Sequence, residues 1–196
     1  FSLLLSVFII KALKLTFLVN TILIGAAFYL FFISIRDFFN FKFKNFSQII
    51  AHLGFSLFIL SILFNNILSL EVITNMKIGE THVSKKIVVN FESVEQKSYK
   101  NYKAIIGKFK IQDQDGTVEI LKPELRVYNQ PNIVTSEADI KTSLLTDKFI
   151  TMNLVQNQDY FNIRYQVKPF MIWIWFSVVL ISISGLISLL KKKYEK

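Results

Sequence analysis

One ionisable side chain, His52, stands well inside the long apolar runs of this chain, with every other such group at or beyond a run's end. Imidazole in hydrocarbon is costly, so it ordinarily faces a bundle interior, a cofactor or a water path. It is also a common axial ligand of haem iron. The competing reading is a histidine hydrogen-bonded to a serine or carbonyl of a neighbouring helix. Ala51 and Gly54 put small residues beside it, which would let a flat macrocycle approach. Gln48, Ile49, Phe55, Ser56 and Ile59 give a mainly apolar and aromatic surround that suits haem better than a proton relay. With a helix starting near Ser47, His52 would lie roughly 7 to 8 Å from its inner end.

The remaining candidates are weaker. His82, in Gly79-Glu80-Thr81-His82, reads as an exposed loop histidine. Arg126 and Arg164 fall in strand-like segments and offer two readings: contact with a haem propionate or a partner, or a structural ion pair with Glu124 or Glu137. Trp173 and Trp175 read as interfacial anchors, with cofactor stacking as the alternative. The chain has no cysteine, hence no disulfide, thiolate nucleophile or thiolate-bound metal. Nothing resembles a nucleophile triad, a phosphate-binding glycine loop or a metal-ligand cluster, and no catalytic residue is assigned.

These residues need elements to hold them, and composition says what kind. Of 196 residues 52% are hydrophobic and 19% charged, with 20 Phe and a net charge of +9. Such a chain lives partly in lipid. Residues 71–169 carry 14 basic and 12 acidic side chains, so most of the positive charge flanks apolar runs. That is the pattern of a membrane topology signal, and nucleic acid is excluded as a partner. Three runs reach the about 20 residues a spanning helix requires: 15–35, 47–70 and 170–190. A fourth, 1–10, is too short and reads as the tail of a helix that begins outside this chain, as in a fragment or a split product. It lacks the basic start and cleavage site of a signal peptide.

Three cations between Arg36 and Phe46 and four after Leu190 (residues 191–196, a basic tail) assign both segments to the cytoplasm or matrix. Residues 71–169 then face outward, Trp173 and Trp175 fall at the outer interface, and Lys11 and Lys14 mildly violate the rule. The outer segment alternates like a β domain at 86–94, 102–112, 117–121, 149–154 and 160–167. Asp113-Gln114-Asp115-Gly116 reads as a hairpin turn, and 136–145 as one short helix. The expected fold is an α-helical membrane protein, three spans plus a partial N-terminal helix, with one inserted extracytoplasmic all-β domain.

Five segments in this order resemble the C-terminal third of the CcmF/NrfE family of cytochrome c-type biogenesis proteins. They are Ala51-His52-Leu53-Gly54 opening a span, Asn101-Tyr102, Pro123-Glu124-Leu125-Arg126-Val127-Tyr128, Thr135-Ser136-Glu137-Ala138-Asp139-Ile140, and Ile163-Arg164-Tyr165-Gln166-Val167-Lys168-Pro169 running into Ile172-Trp173-Ile174-Trp175. The family has Pro-Glu-Lys-Arg and Thr-Glu-Ala where this chain has Pro-Glu-Leu-Arg and Thr-Ser-Glu-Ala.

The resemblance implies part of a haem lyase that joins haem to the Cys-x-x-Cys-His motif of an apocytochrome c. It makes His52 one of two transmembrane axial ligands of a b-type haem (haem b). The second ligand and the tryptophan-rich outer motif with its two histidines are absent here, and His82 matches neither of those. The implied partners are the remainder of the same protein or a split partner subunit, a haem chaperone, apocytochrome c with its thiol-handling factors, and membrane lipid. The implied location is a multi-pass bacterial or mitochondrial inner membrane, with the β domain in the periplasm or intermembrane space. The alternative reading is a non-enzymatic membrane scaffold whose β domain docks assembly partners.

Overall fold

The computed structural model describes residues 2–13, 17–40, 46–84, 87–113, 115–155 and 159–194. The chain forms two compact units: a helical one from residues 1–68 and 169–196, and a β unit from residues 69–168 inserted between them.

The helical unit contains α1 (Ser2–Leu13), α2 (Phe17–Phe39), α3 (Phe46–Leu68) and α4 (Met171–Tyr194). Thr21–Phe39, Phe46–Leu68 and Met171–Lys191 are long and apolar enough to cross a membrane. Arg36, expected to open a basic loop, instead lies in the last turn of α2, ion-paired with Asp37 at 2.9 Å. The apolar pair Phe38-Phe39 carries the helix onward until the Asn40 amide bonds to the Arg36 carbonyl at 3.0 Å. Lys14, Lys42, Lys44 and Lys196 lie outside the described residues.

Antiparallel α3 and α4 pack through small residues repeated every seven positions, Ser47, Gly54 and Ser61 on one helix and Ser177 and Ser184 on the other. Hydrocarbon gives helices no hydrophobic drive to associate, so close approach and hydrogen bonds must hold them. Ser47 Oγ donates to the Ser184 carbonyl at 2.8 Å and Ser184 Oγ returns a bond to the Ser47 carbonyl at 2.7 Å. A Cβ at Gly54 would stand 2.9 Å from Ile181 Cγ1 and 3.2 Å from the Ser177 carbonyl oxygen. At the other end of the pair, Asn65 donates to the Pro169 carbonyl at 2.6 Å and Phe64 packs on Phe170, which adopts φ 61° where β10 turns into α4.

The β unit is a sandwich. One sheet runs β1 (Leu70–Met76), β10 (Phe161–Pro169), β9 (Thr146–Leu154), β8 (Asp139–Thr142). The other runs β2 (Thr81–Val83), β3 (Ile87–Ser98), β4 (Tyr102–Asp113), β6 (Glu124–Tyr128), β7 (Val134–Glu137), with β5 (Val118–Leu121) also paired to β4. Inward positions of both sheets meet in a core of Met76, Phe91, Phe109, Leu125, Met152 and Tyr165 among others, with Phe91 and Phe109 stacked at 4.3 Å.

Two expectations change. Residues 136–145, expected as a helix, lie in β7, β8 and the turn after them, because β7 pairs with β6, β8 pairs with β9, and Ser136 Oγ bonds to the Met152 carbonyl at 2.7 Å. Cross-strand partners override a local preference that short segments hold only weakly. His82, expected in a loop, sits half-buried in β2 opposite Val89, with Nδ1 3.4 Å from Thr74 Oγ1. The turn after Asp113 does carry Gly116 at φ 82°, with Asp115 Oδ1 accepting from the Thr117 amide at 3.1 Å; Gln114 lies outside the described residues.

Candidate functional site

His52 lies in the second turn of α3, on a face that α2 flanks. Leu30, Ile33, Ser34, Asp37 and Asn40 follow one side of α2 at helical spacing, and Gln48, Ile49 and His52 follow one side of α3. Together they line a cavity of about 460 Å³. That volume falls in the range of small-molecule and cofactor sites. The lining is mixed: Leu30, Ile33 and Ile49 are aliphatic, while the polar Asp37, Asn40 and Gln48 come from the ends of the two helices next to the α2–α3 connection. Ser34 spends its hydroxyl on the Leu30 carbonyl at 2.7 Å.

His52 itself is exposed and makes no hydrogen bond or ion pair with any described residue. An imidazole nitrogen not engaged by any described residue is the donor an axial ligand of haem iron needs. The described residues lining the cavity supply no second imidazole, so they fit one face of a haem. Gly54 plays no part in this. Two positions along the helix place it about 200° round the axis from His52. There its missing side chain admits α4, so the expected close approach by a macrocycle is taken by a helix. Ser34, Asp37 and Asn40 escaped the sequence reading as cavity residues; their recurrence every three residues to the C-terminal end of α2 was the available signal.

The two arginines lie in the sandwich. Arg126 Nε bonds to Glu124 Oε2 at 3.0 Å, its Nη1 lies 3.9 Å from Glu137, and the guanidinium rests 5.2 Å over the Tyr102 ring. The hydrogen bond to Glu124 heads the causes that hold its pKa above the ordinary arginine value. Arg164 pairs with Glu71 across the β1–β10 ladder, a partner not foreseen, and Gln166 donates to the same carboxylate at 2.6 Å. The Arg164 and then the Gln166 hydrogen bonds hold the Glu71 carboxyl below its usual range.

A further charged cluster joins Lys148 to Asp113 at 2.5 Å and Glu119 at 3.2 Å. Burial pulls Lys148 down, but the bonds to Asp113 and Glu119 outweigh it and the ammonium ends above its ordinary value. Tyr165, 1% exposed, is raised first by burial and then by those same carboxylates. Trp173 meets Phe176 edge to face at 5.9 Å, and Trp175 is 67% exposed.

Three apolar helices, a β-sandwich inserted before the last of them, and a histidine-lined cavity between α2 and α3 define a multi-span membrane protein with an appended β domain. A family model described as the CcmF C-terminal beta-sandwich matches residues 67–169, more than half of the chain, and the chain belongs to the CcmF family. Among curated relatives it is 27% identical over 167 residues to "Cytochrome c-type biogenesis protein CcmF" of Haemophilus influenzae, covering 84% of this chain and 25% of that protein. It is 26% identical over 155 residues to the protein of the same name from Escherichia coli, covering 79% and 24%. It therefore spans about a quarter of the length of these relatives. A solved structure titled "Cytochrome c Heme Lyase CcmF" matches 94% of this chain and 33% of its own with a TM-score of 0.64 at 16% identity, which is a likeness of fold.

Proposed function

We propose that this chain is the C-terminal part of a cytochrome c haem lyase, taking part in covalent attachment of haem to apocytochrome c, with His52 as one axial ligand of a membrane-held haem b. The observation that carries this is the exposed imidazole without a hydrogen-bond partner among the described residues, on a lipid-spanning helix and opening onto a cavity lined by Leu30, Ile33 and Ile49 together with Ser34, Asp37, Asn40 and Gln48. Left bare in hydrocarbon it would be costly, and a metal bond together with the rest of the protein would cover it. A haem held there would supply electrons that keep the transferred haem iron reduced. The chain's own contribution is to fix the ring: the small-residue seam with α4 sets the rotation of α3 about its axis and thereby aims His52 at α2.

The remaining ligand and the outer haem platform come from the rest of the same protein or from a split partner subunit. A haem chaperone delivers the cofactor, and apocytochrome c with its thiol-handling factors receives it. The basic flanks support a topology with the α2–α3 connection and the C-terminal tail inside and the sandwich in the periplasm or intermembrane space. In the assembled protein, His52→Ala removes the reduced b-haem absorption bands while the protein still accumulates in the membrane. An unchanged spectrum overturns the ligand assignment. Capture of partners that follows substitutions in the sandwich and ignores His52, with the spectrum unchanged, would instead favour a scaffold.

A further inference from the structure

Gln48 and His52 stand four residues apart on α3 and line the same cavity. Four residues along a helix is a rotation of only about 40°, so the two side chains share a face with their Cβ atoms about 5–6 Å apart. Helical side chains also lean toward the N-terminus, over the turn that precedes them, which tips the His52 ring toward Gln48. Both are exposed, and neither makes a hydrogen bond or ion pair with any described residue. Because α3 is long and apolar enough to cross a membrane, each would be costly to leave unpaired.

An imidazole that gives one nitrogen to iron keeps a proton on the other, and that N–H needs an acceptor. With Nε2 on the metal, the N–H is at Nδ1, the nitrogen nearer the helix backbone. Most other polar side chains around the ring are committed. Ser56, one turn further on, donates to the Leu53 carbonyl at 2.9 Å, and Ser34 donates to the Leu30 carbonyl at 2.7 Å. Asp37 accepts two bonds from Arg36, at 2.9 and 3.1 Å. Of the described polar residues lining the cavity this leaves Asn40, past the end of α2, and Gln48. Only Gln48 has its spacing to His52 fixed by a single helix.

We propose that Gln48 is a positioning residue for His52, its Oε1 accepting the Nδ1–H and so fixing the tautomer and the plane of the ring. This rests on the reading of His52 as an axial ligand of a haem and adds the residue that tunes that ligand. An acceptor on Nδ1–H makes the imidazole a stronger donor and favours ferric over ferrous iron. Gln48 therefore holds the haem at a lower potential, which makes it a stronger reductant.

The test is a spectroelectrochemical titration of the assembled, haem-loaded protein at one pH. Gln48→Leu removes the acceptor while keeping a good helix former. Its reduced b-haem bands remain and its midpoint potential rises, so that at a fixed poise the ratio of reduced to oxidised haem increases on the order of tenfold. Gln48→Glu keeps an oxygen at the same reach and titrates at or below the potential of the unsubstituted protein. A Gln48→Leu potential at or below the unsubstituted one overturns the proposal, since the acceptor would then lie elsewhere, as on an α3 carbonyl. So does a Gln48→Glu potential as high as that of Gln48→Leu, which would make the shift one of packing. If Gln48→Leu does not retain haem, Gln48→Asn, shorter by one methylene, takes its place under the same criteria. None of these outcomes touches the ligand assignment, which fails only if His52→Ala leaves the haem spectrum unchanged.

Discussion

Glu71 is an acid held ionised by its neighbours. The Arg164 and Gln166 hydrogen bonds lower its pKa from the ordinary 4.5. Its contribution to sandwich stability is therefore full above that value and is lost as pH falls through the lowered one. Arg164→Gln takes away the largest of the causes, so melts of the protein in detergent between about pH 3 and 6 should show a shallower acid slope for the variant. Lys148 has the opposite sign. Raised by Asp113 and Glu119, it stabilises at neutral pH and loses that effect as pH climbs past the ordinary lysine range. Asp113→Asn should flatten this alkaline limb and leave the acid limb of Glu71 intact. Chemistry of this kind is read poorly from sequence: Arg126 sits two residues from Glu124, a partner its local sequence suggests, whereas Arg164 found Glu71 some ninety positions away through strand pairing.

At the scale of elements, two glycines make opposite predictions. Gly54 has Ile181 and Ser177 within 3.2 Å of where a side chain would begin, while Gly185 has nothing within 4 Å. Gly54→Val should separate α3 from α4 at a cost of about 1–3 kcal/mol. Gly185→Ala should be neutral or stabilising by up to about 1 kcal/mol, since alanine favours helix. Denaturation in detergent micelles, followed by helical circular dichroism, compares the pair. Under the proposed ligation by His52, a shift of α3 against α4 in the Gly54 variant should also weaken the reduced b-haem spectrum of the assembled protein, and Gly185→Ala should not. Hydrophobic length made the spans legible, and alternation made the long strands legible. Strand β1, which follows the apolar run of α3 after a single residue, and the short strands β2, β7 and β8 were not: the first merges with the span before it, and segments of three or four residues show little periodicity and are defined by partners distant in sequence. His52 was legible through its isolation in an apolar run; the face of α2 opposite it was not, since nothing local says which side of a lipid-spanning helix meets a neighbour.

Along the whole chain, the β domain is inserted between the third and fourth helices. The sandwich has its own core, drawn from strands lying wholly within residues 69–169. Residues 69–168 expressed separately should therefore melt cooperatively, and Phe109→Ala, which empties the site of a fully buried ring, should cost about 3–5 kcal/mol in that melt. A broad, non-cooperative transition of the unsubstituted domain would mean that its fold depends on the spans.

Both ends of that domain leave from one registered pair, Leu70 opposite Val167, and this sets how it bears load. Any force that draws the ends of α3 and α4 apart acts across the β1–β10 ladder at its base. Hydrogen bonds in such a ladder lie perpendicular to the strands, so they would be loaded one after another from Leu70 toward Met76, as a zipper opens, instead of all together in shear. The sandwich is consequently weak in one direction, and spreading of its two anchors in the membrane would be felt first at the Leu70–Val167 pair, with the Arg164–Glu71 ion pair among the next contacts in line.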